Sequence, residues 1–111
     1  MRTFYAKNRK EWRSWLEKNH DKRDEIWLIL YKKASGIHGV LRDEAVEEAI
    51  CFGWIDSVQK KHDENSSVQR FSPRRPGSNW SPTNRLLAKR LKVHGLMTEA
   101  GEKTLPPDLN T

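Results

Sequence analysis

The sequence contains a single cysteine, Cys51, and no run of about 18 apolar residues. A lone cysteine excludes an internal disulfide, so packing must stabilise the fold, as is usual in a reducing compartment. Without a long apolar run the chain has no candidate membrane span. The N-terminal stretch "MRTFYAKNRKEW" is polar and mixed, and it lacks the apolar segment of a secretory signal. These absences predict a cytoplasmic protein.

Acidic residues are scarce in the second half of the chain. The net charge is +6, and residues 59–92 carry nine Lys or Arg but only two acids, Asp63 and Glu64. Such a basic half favours an anionic partner, either a small molecule or a nucleic acid. A solvated basic surface explains the same charge equally well. The sequence specifies no oligomeric state.

Motifs for metals, nucleotides and covalent catalysis are also missing. The four histidines are far apart, and none is spaced to share a metal with another histidine or with Cys51. The segment "GEKT" lacks the glycine-rich opening of a phosphate-binding loop. Cys51 lies among apolar residues near the end of a predicted helix, which favours core packing over a reactive thiol. We therefore expect no metal and no cofactor, and we identify no catalytic residue.

The apolar periodicity and the cap residues predict an α+β fold. The expected sheet is small and three-stranded, and a crossover through the second helix would make it mixed. Glu44, Glu47 and Glu48 are expected to face water. We expect one domain over residues 1–103 and a flexible tail over 104–111. The predicted elements are helices at 8–19, 42–52 and 81–94, strands at 25–33, 54–63 and 66–74, and a short turn or helix capped by Thr98.

Asp56 is unusual because it lies in the apolar strand segment "WIDSV". Aspartate is disfavoured in strands, and a partly buried acid needs a cation or a hydrogen-bond donor. One interpretation is an ion pair with Lys60, Arg70 or Arg74. The other is a carboxylate that acts as a base or acceptor in a site. The sequence leaves both open.

The segment "FSPRRPGSNWSPTNR", residues 71–85, holds three arginines, three prolines and no acid. Arg74 and Arg75 present planar forks that suit phosphate or carboxylate. Trp80 offers an aromatic face, and Ser78 and Asn84 add polar groups beside the start of the third helix. This pattern predicts an anion site. The alternative is that Trp80 anchors the core and that the arginines pair with acids elsewhere in the chain.

The segments "CFGWID", "FSPRRPGSNWSPTN" and "GLMTEAG" resemble the YdeI/OmpD-associated, bacteriocin-protection-like family over roughly residues 4–101. The resemblance implies a link to resistance against bacteriocins or antimicrobial peptides, and it brings no catalytic residues. The positions that match the signature of that family are Trp54, Asp56, Lys60, Asp63, Phe71, Pro73, Arg74, Ser78, Trp80, Ser81 and Asn84.

The sequence thus predicts a small binding module in which the hairpin and the 71–85 segment line a cationic groove for an anionic ligand. Asp56 and Lys60 would orient the ligand or each other. The alternatives are an enzyme that uses Asp56 as acid or base, and a protein-interaction module. The predicted ligand-binding residues are Trp54, Asp56, Lys60, Arg74, Arg75, Ser78, Trp80 and Asn84.

Overall fold

A computed structural model describes residues 1–109, and its fold is α+β, as predicted. The sheet has four strands rather than three. The additional strand, β1, is only two residues long, too short for any periodicity to show. The elements are β1 (Thr3–Phe4), α1 (Arg9–Asn19), β2 (Ile26–Tyr31), α2 (Arg42–Cys51), β3 (Trp54–Asp63), β4 (Ser66–Pro73), α3 (Pro82–Val93) and α4 (Glu99–Glu102).

The strand order is β1-β2-β4-β3, and the sheet is mixed. β1 pairs with β2 in parallel, whereas β4 pairs antiparallel with both β2 and β3. The chain passes from β1 through α1 to β2, so this crossover forms the parallel pair. The crossover expected through α2 does not place β2 beside β3, because the returning strand of the hairpin lies between them. β4 is consequently an interior strand of the sheet, with β2 on one side and β3 on the other.

The helices pack on one face of this sheet. Trp12 and Leu16 of α1 share a core cluster with Leu28 and Phe71 of the strands. Trp27 and Val68 are also buried, but they lie outside that cluster. Since neighbouring residues in a strand point to opposite faces, they belong to the other face. We call this the outer face, and the strand register assigns to it Trp27, Ile55, Lys60, Val68, Arg70 and Ser72.

The helices begin and end beside the cap residues that the sequence predicted. The Asn8 side chain accepts the Glu11 backbone N–H at 3.0 Å, and the Ser81 hydroxyl accepts that of Asn84 at 3.1 Å. Gly53 follows α2 with φ +76°, a conformation that other residues rarely adopt. These caps place α2 and α3 at fixed positions against the end of the hairpin.

The expectation that Glu48 faces water is wrong. Glu48 is buried, with its side chain 7% exposed, and it accepts hydrogen bonds from Arg9 Nε at 2.9 Å and Arg13 Nη1 at 2.9 Å. Burial lowers the pKa of the Arg9 guanidinium, but its bonds to Glu47 and Glu48 outweigh that effect and raise it overall. A buried charge network therefore joins α1 to α2.

The C-terminal part of the described chain also packs against the domain. Leu105 is 7% exposed and belongs to the core cluster. Lys92 Nζ donates to the Leu109 carbonyl at 2.7 Å. Residues 104–109, expected to be a flexible tail, are thus in contact with the core and with α3. The remainder of the predicted tail, residues 110–111, lies outside the described residues.

Across residues 1–109, no helix combines the length and the apolar character needed to cross a membrane.

Candidate functional site

Arg74 is the centre of the candidate site. It follows the last residue of β4, and its backbone N–H donates to the Gly53 carbonyl at 2.8 Å. Its side chain is only 6% exposed, and its guanidinium lies 3.8 Å from the centroid of the Trp80 ring. Its Nη1 donates to the Ser78 hydroxyl and to the Asn79 carbonyl, both at 3.1 Å. The guanidinium is therefore held in one orientation by the loop that follows β4.

Two nitrogens of this guanidinium, Nε and Nη2, are buried and donate to no atom within residues 1–109. Burial lowers the pKa of Arg74, and the nearby Asp56 carboxylate acts in the opposite direction. A buried donor without an acceptor costs about 1–3 kcal/mol, and more when it is charged. The folded chain thus keeps two strong donors that its own described atoms leave unused.

Arg74 lines a cleft of about 420 Å³ at the edge of the outer face, which we call the arginine cleft. Three arginines and one aspartate line it, so its charge is positive. Arg70 is partly neutralised, because its Nε donates to Glu25 Oε1 at 2.5 Å, and this bond lowers the pKa of Glu25. Arg75 is exposed. The lining residues are Asp24, Ile55, Arg70, Ser72, Pro73, Arg74, Arg75 and Ser78.

Asp56 and Asn84 line a different cleft, of about 450 Å³, between α2 and α3. Asp56 Oδ2 accepts a hydrogen bond from Arg42 Nη2 at 3.0 Å, so its close partner is none of the three cations that the sequence suggested. The charges in this helix cleft are nearly balanced. Its lining residues are Arg42, Asp43, Val46, Glu47, Asp56, Ser81, Thr83, Asn84, Leu87 and Arg90.

Two further predicted residues lie apart from both clefts. Trp54 is 1% exposed in the core, and its Nε1 donates to the His20 carbonyl at 3.2 Å. Lys60 lies on the outer face, with its Nζ 5.0 Å from the centroid of the Trp27 ring. The structure therefore gathers Arg74, Arg75, Ser78 and Trp80, whereas Trp54, Lys60, Asp56 and Asn84 do not line the arginine cleft.

Sequence reasoning did not place Arg70 and Ser72 in the site. Alternation along β4 was a usable signal, because Arg70 and Ser72 are two residues apart and so share a face of the strand. Arg42 offered no comparable signal. It reaches Asp56 from the start of α2, and the two residues lie in different elements that only the tertiary fold brings together.

Cys51 and the histidines do not contribute chemistry to this region. Cys51 is fully buried, and burial raises the pKa of its thiol, so little thiolate forms near neutral pH. In the part of the chain that the structure describes, no three His, Cys, Asp or Glu side chains come together as metal ligands would. Apart from the Asp24 carboxylate, the polar side chains that line the arginine cleft are guanidinium and hydroxyl donors, which are suited to binding an anion.

Comparison with known proteins gives one match. A protein-family model described as "Domain of unknown function (DUF8412)" matches residues 4–104. The resemblance to the YdeI/OmpD-associated family is thereby corrected, and the expected link to bacteriocin resistance loses its only support. No curated protein and no solved structure is detectably similar to the chain.

Proposed function

The chain belongs to the DUF8412 family, a domain of unknown function, and from its geometry we propose that it binds an anionic group, phosphate or carboxylate, in the arginine cleft. The observation that carries this proposal is Arg74, whose Nε and Nη2 are buried without an acceptor within residues 1–109. A charged oxygen is the acceptor that best compensates a guanidinium removed from water.

The cleft is preorganised for such a ligand. Stacking on Trp80 and the bonds to Ser78 and Asn79 fix the Arg74 plane before any ligand arrives. A donor that is already oriented loses little conformational entropy on binding. The Ser72 and Ser78 hydroxyls line the same cleft and add hydrogen-bonding groups for a tetrahedral or planar anion.

Binding would proceed in two stages. Arg75 is exposed, so it meets the anion first, as a flexible cation at the mouth of the cleft. The buried Arg74 nitrogens become available when residues 75–77 move aside, while Ser78 and Asn79 keep their bonds to Arg74 Nη1. Gly77 makes such a change inexpensive, because glycine tolerates its φ of +72° and, chain neighbours aside, no atom lies within 4 Å of where a Cβ would be.

We predict that Arg75→Ala weakens the binding of inorganic phosphate and of thymidine monophosphate by about tenfold. One lost charge-assisted hydrogen bond is worth about 1.5 kcal/mol, which corresponds to that factor. Isothermal titration at low salt measures it. The matched control is Arg90→Ala, which removes the same charge from the helix cleft and should leave the affinity within about twofold.

Equal losses for the two variants would show that only net charge matters, and a larger loss for Arg90→Ala would move the ligand to the helix cleft. Either result contradicts the proposed site. Failure of the unsubstituted protein to bind either anion would contradict the function itself.

An enzyme that uses Asp56 beside Lys60 and Asn84 has less support. Asp56 and Asn84 do line one cleft, but Lys60 lies on the other face of the sheet. The Asp56 carboxylate is also already bonded to Arg42. A catalytic constellation at Asp56 would therefore lack the cation that the hypothesis assigned to it.

A further inference from the structure

We propose that the anionic ligand is a single-stranded nucleic acid, which runs from the arginine cleft along the outer face to Lys60 and Trp27. This inference rests on the proposed function, because the arginine cleft supplies one end of the path. It adds the identity of the ligand and a second contact region.

The cleft and the outer face are continuous. Ile55, Arg70 and Ser72 belong to both. Trp27 lies directly across from Arg70 in the strand register, and Lys60 lies across from Val68. Ser72 is four residues beyond Val68, about 13 Å along the strand. A ligand that touches Lys60 and the arginine cleft together must therefore carry its phosphates along a chain, which a mononucleotide cannot do.

Cations and aromatic rings alternate along this path. Lys60 Nζ lies 5.0 Å from the Trp27 ring centroid, and the Arg74 guanidinium lies 3.8 Å from that of Trp80. Lys60 is exposed, so its ammonium can leave the ring for a phosphate. Trp27 is 7% exposed with Lys60 in place, and the ring face beneath Lys60 is then open to a base. Stacking of a base on an aromatic side chain is a contact that single strands make without sequence preference.

The charge of the face matches such a strand. β2 and β4 contain no acidic residue, and the two acids of β3 are Asp56, on the helix side, and Asp63, at the hairpin turn. Outside these strands, Glu25 pairs with Arg70, and Asp24 lines the arginine cleft together with its three arginines. An acidic peptide would use the cations but not the rings, so the interleaved Trp27 favours a nucleic acid.

The test compares thymidine monophosphate with single-stranded oligothymidylates of about 4 and about 12 nucleotides, by fluorescence anisotropy or calorimetry at two salt concentrations. We expect the longer strand to bind at least about tenfold more tightly than the monophosphate. Lys60→Ala should weaken the longer strand by about threefold to tenfold and reduce its salt slope by about 0.7, without affecting the monophosphate.

Lys61→Ala is the matched control. It removes the same charge from the next residue, which is paired with Ser67 and so points to the opposite face. This control should weaken binding of the longer strand by less than about twofold.

The inference would be overturned if affinity did not depend on the length of the strand, or if the two lysine variants had equal effects. If the monophosphate still bound in that case, the proposed function would remain intact. Polyglutamate that binds as tightly as the oligonucleotide would also overturn the inference, in favour of an acidic protein partner. Absence of monophosphate binding would reject the proposed function instead.

Discussion

Glu48→Ala should destabilise the protein by about 3 kcal/mol. Removing one partner of a buried ion pair costs about 3–5 kcal/mol, because the other charge loses its compensation. Here Arg13 would lose its carboxylate partner and Arg9 one of its two, since Glu48 accepts from Arg9 Nη2 at 2.6 Å and from Arg13 Nη1 at 2.9 Å, while Glu47 stays bonded to Arg9. Both arginines are about one-third exposed, so water recovers part of the loss and the lower end of the range applies.

Urea unfolding followed by tryptophan fluorescence measures this effect. Glu17→Ala is the control, because Glu17 is exposed on α1, and its replacement should change the free energy of unfolding by no more than about 0.5 kcal/mol. Equal unfolding midpoints for the two variants would mean that the network between α1 and α2 contributes nothing to stability.

Gly101→Ala should destabilise the protein by about 2–3 kcal/mol, although alanine normally favours a helix over glycine by about 1 kcal/mol. A Cβ at Gly101 would lie 2.2 Å from the Cys51 carbonyl oxygen and 2.9 Å from that of Ile50. Both are backbone atoms, so no side-chain movement relieves the clash. α4 would have to move away, and the 2.6 Å bond from the Thr98 hydroxyl to Cys51 would be lost.

The control for this substitution is Gly95→Ala. Gly95 has φ +71° and open space around it, so alanine there costs only the conformational strain, about 1–2 kcal/mol. Thermal or urea unfolding of the two variants separates the clash from the strain. A Gly101→Ala protein as stable as the unsubstituted one would show that α4 does not pack against the end of α2 as described.

The features of the fold that the sequence predicted correctly are those with local causes. Asn8, Gly53 and Ser81 mark helix ends through their own backbone and side-chain chemistry. The strand order could not be predicted in this way, because the pairing of β2 with β4 joins segments far apart in the chain. Glu48 was misplaced for the same reason, since its partner arginines come from another helix.

The same distinction between local and tertiary causes applies to the residues predicted for the candidate site. Arg74, Ser78 and Trp80 are close in sequence and meet in the structure. Lys60 was one of the candidate ion-pair partners of Asp56, and residues four apart in a regular strand do share a face. A β-bulge inserts one extra residue between Asp56 and Gln59 and turns Lys60 to the outer face. The Gln69 side chain stabilises the bulge by donating to the carbonyls of residues 57 and 58.

The most direct test of anion binding is an NMR titration of isotope-labelled protein with inorganic phosphate and then with thymidine monophosphate, each at two salt concentrations. We expect saturable shifts of the Arg74 Nε–H and Trp80 indole signals, which persist at the higher salt because a buried guanidinium is weakly screened. Shifts spread over Lys89 and Lys92 that vanish with salt, while Arg74 and Trp80 stay unchanged, would contradict this expectation.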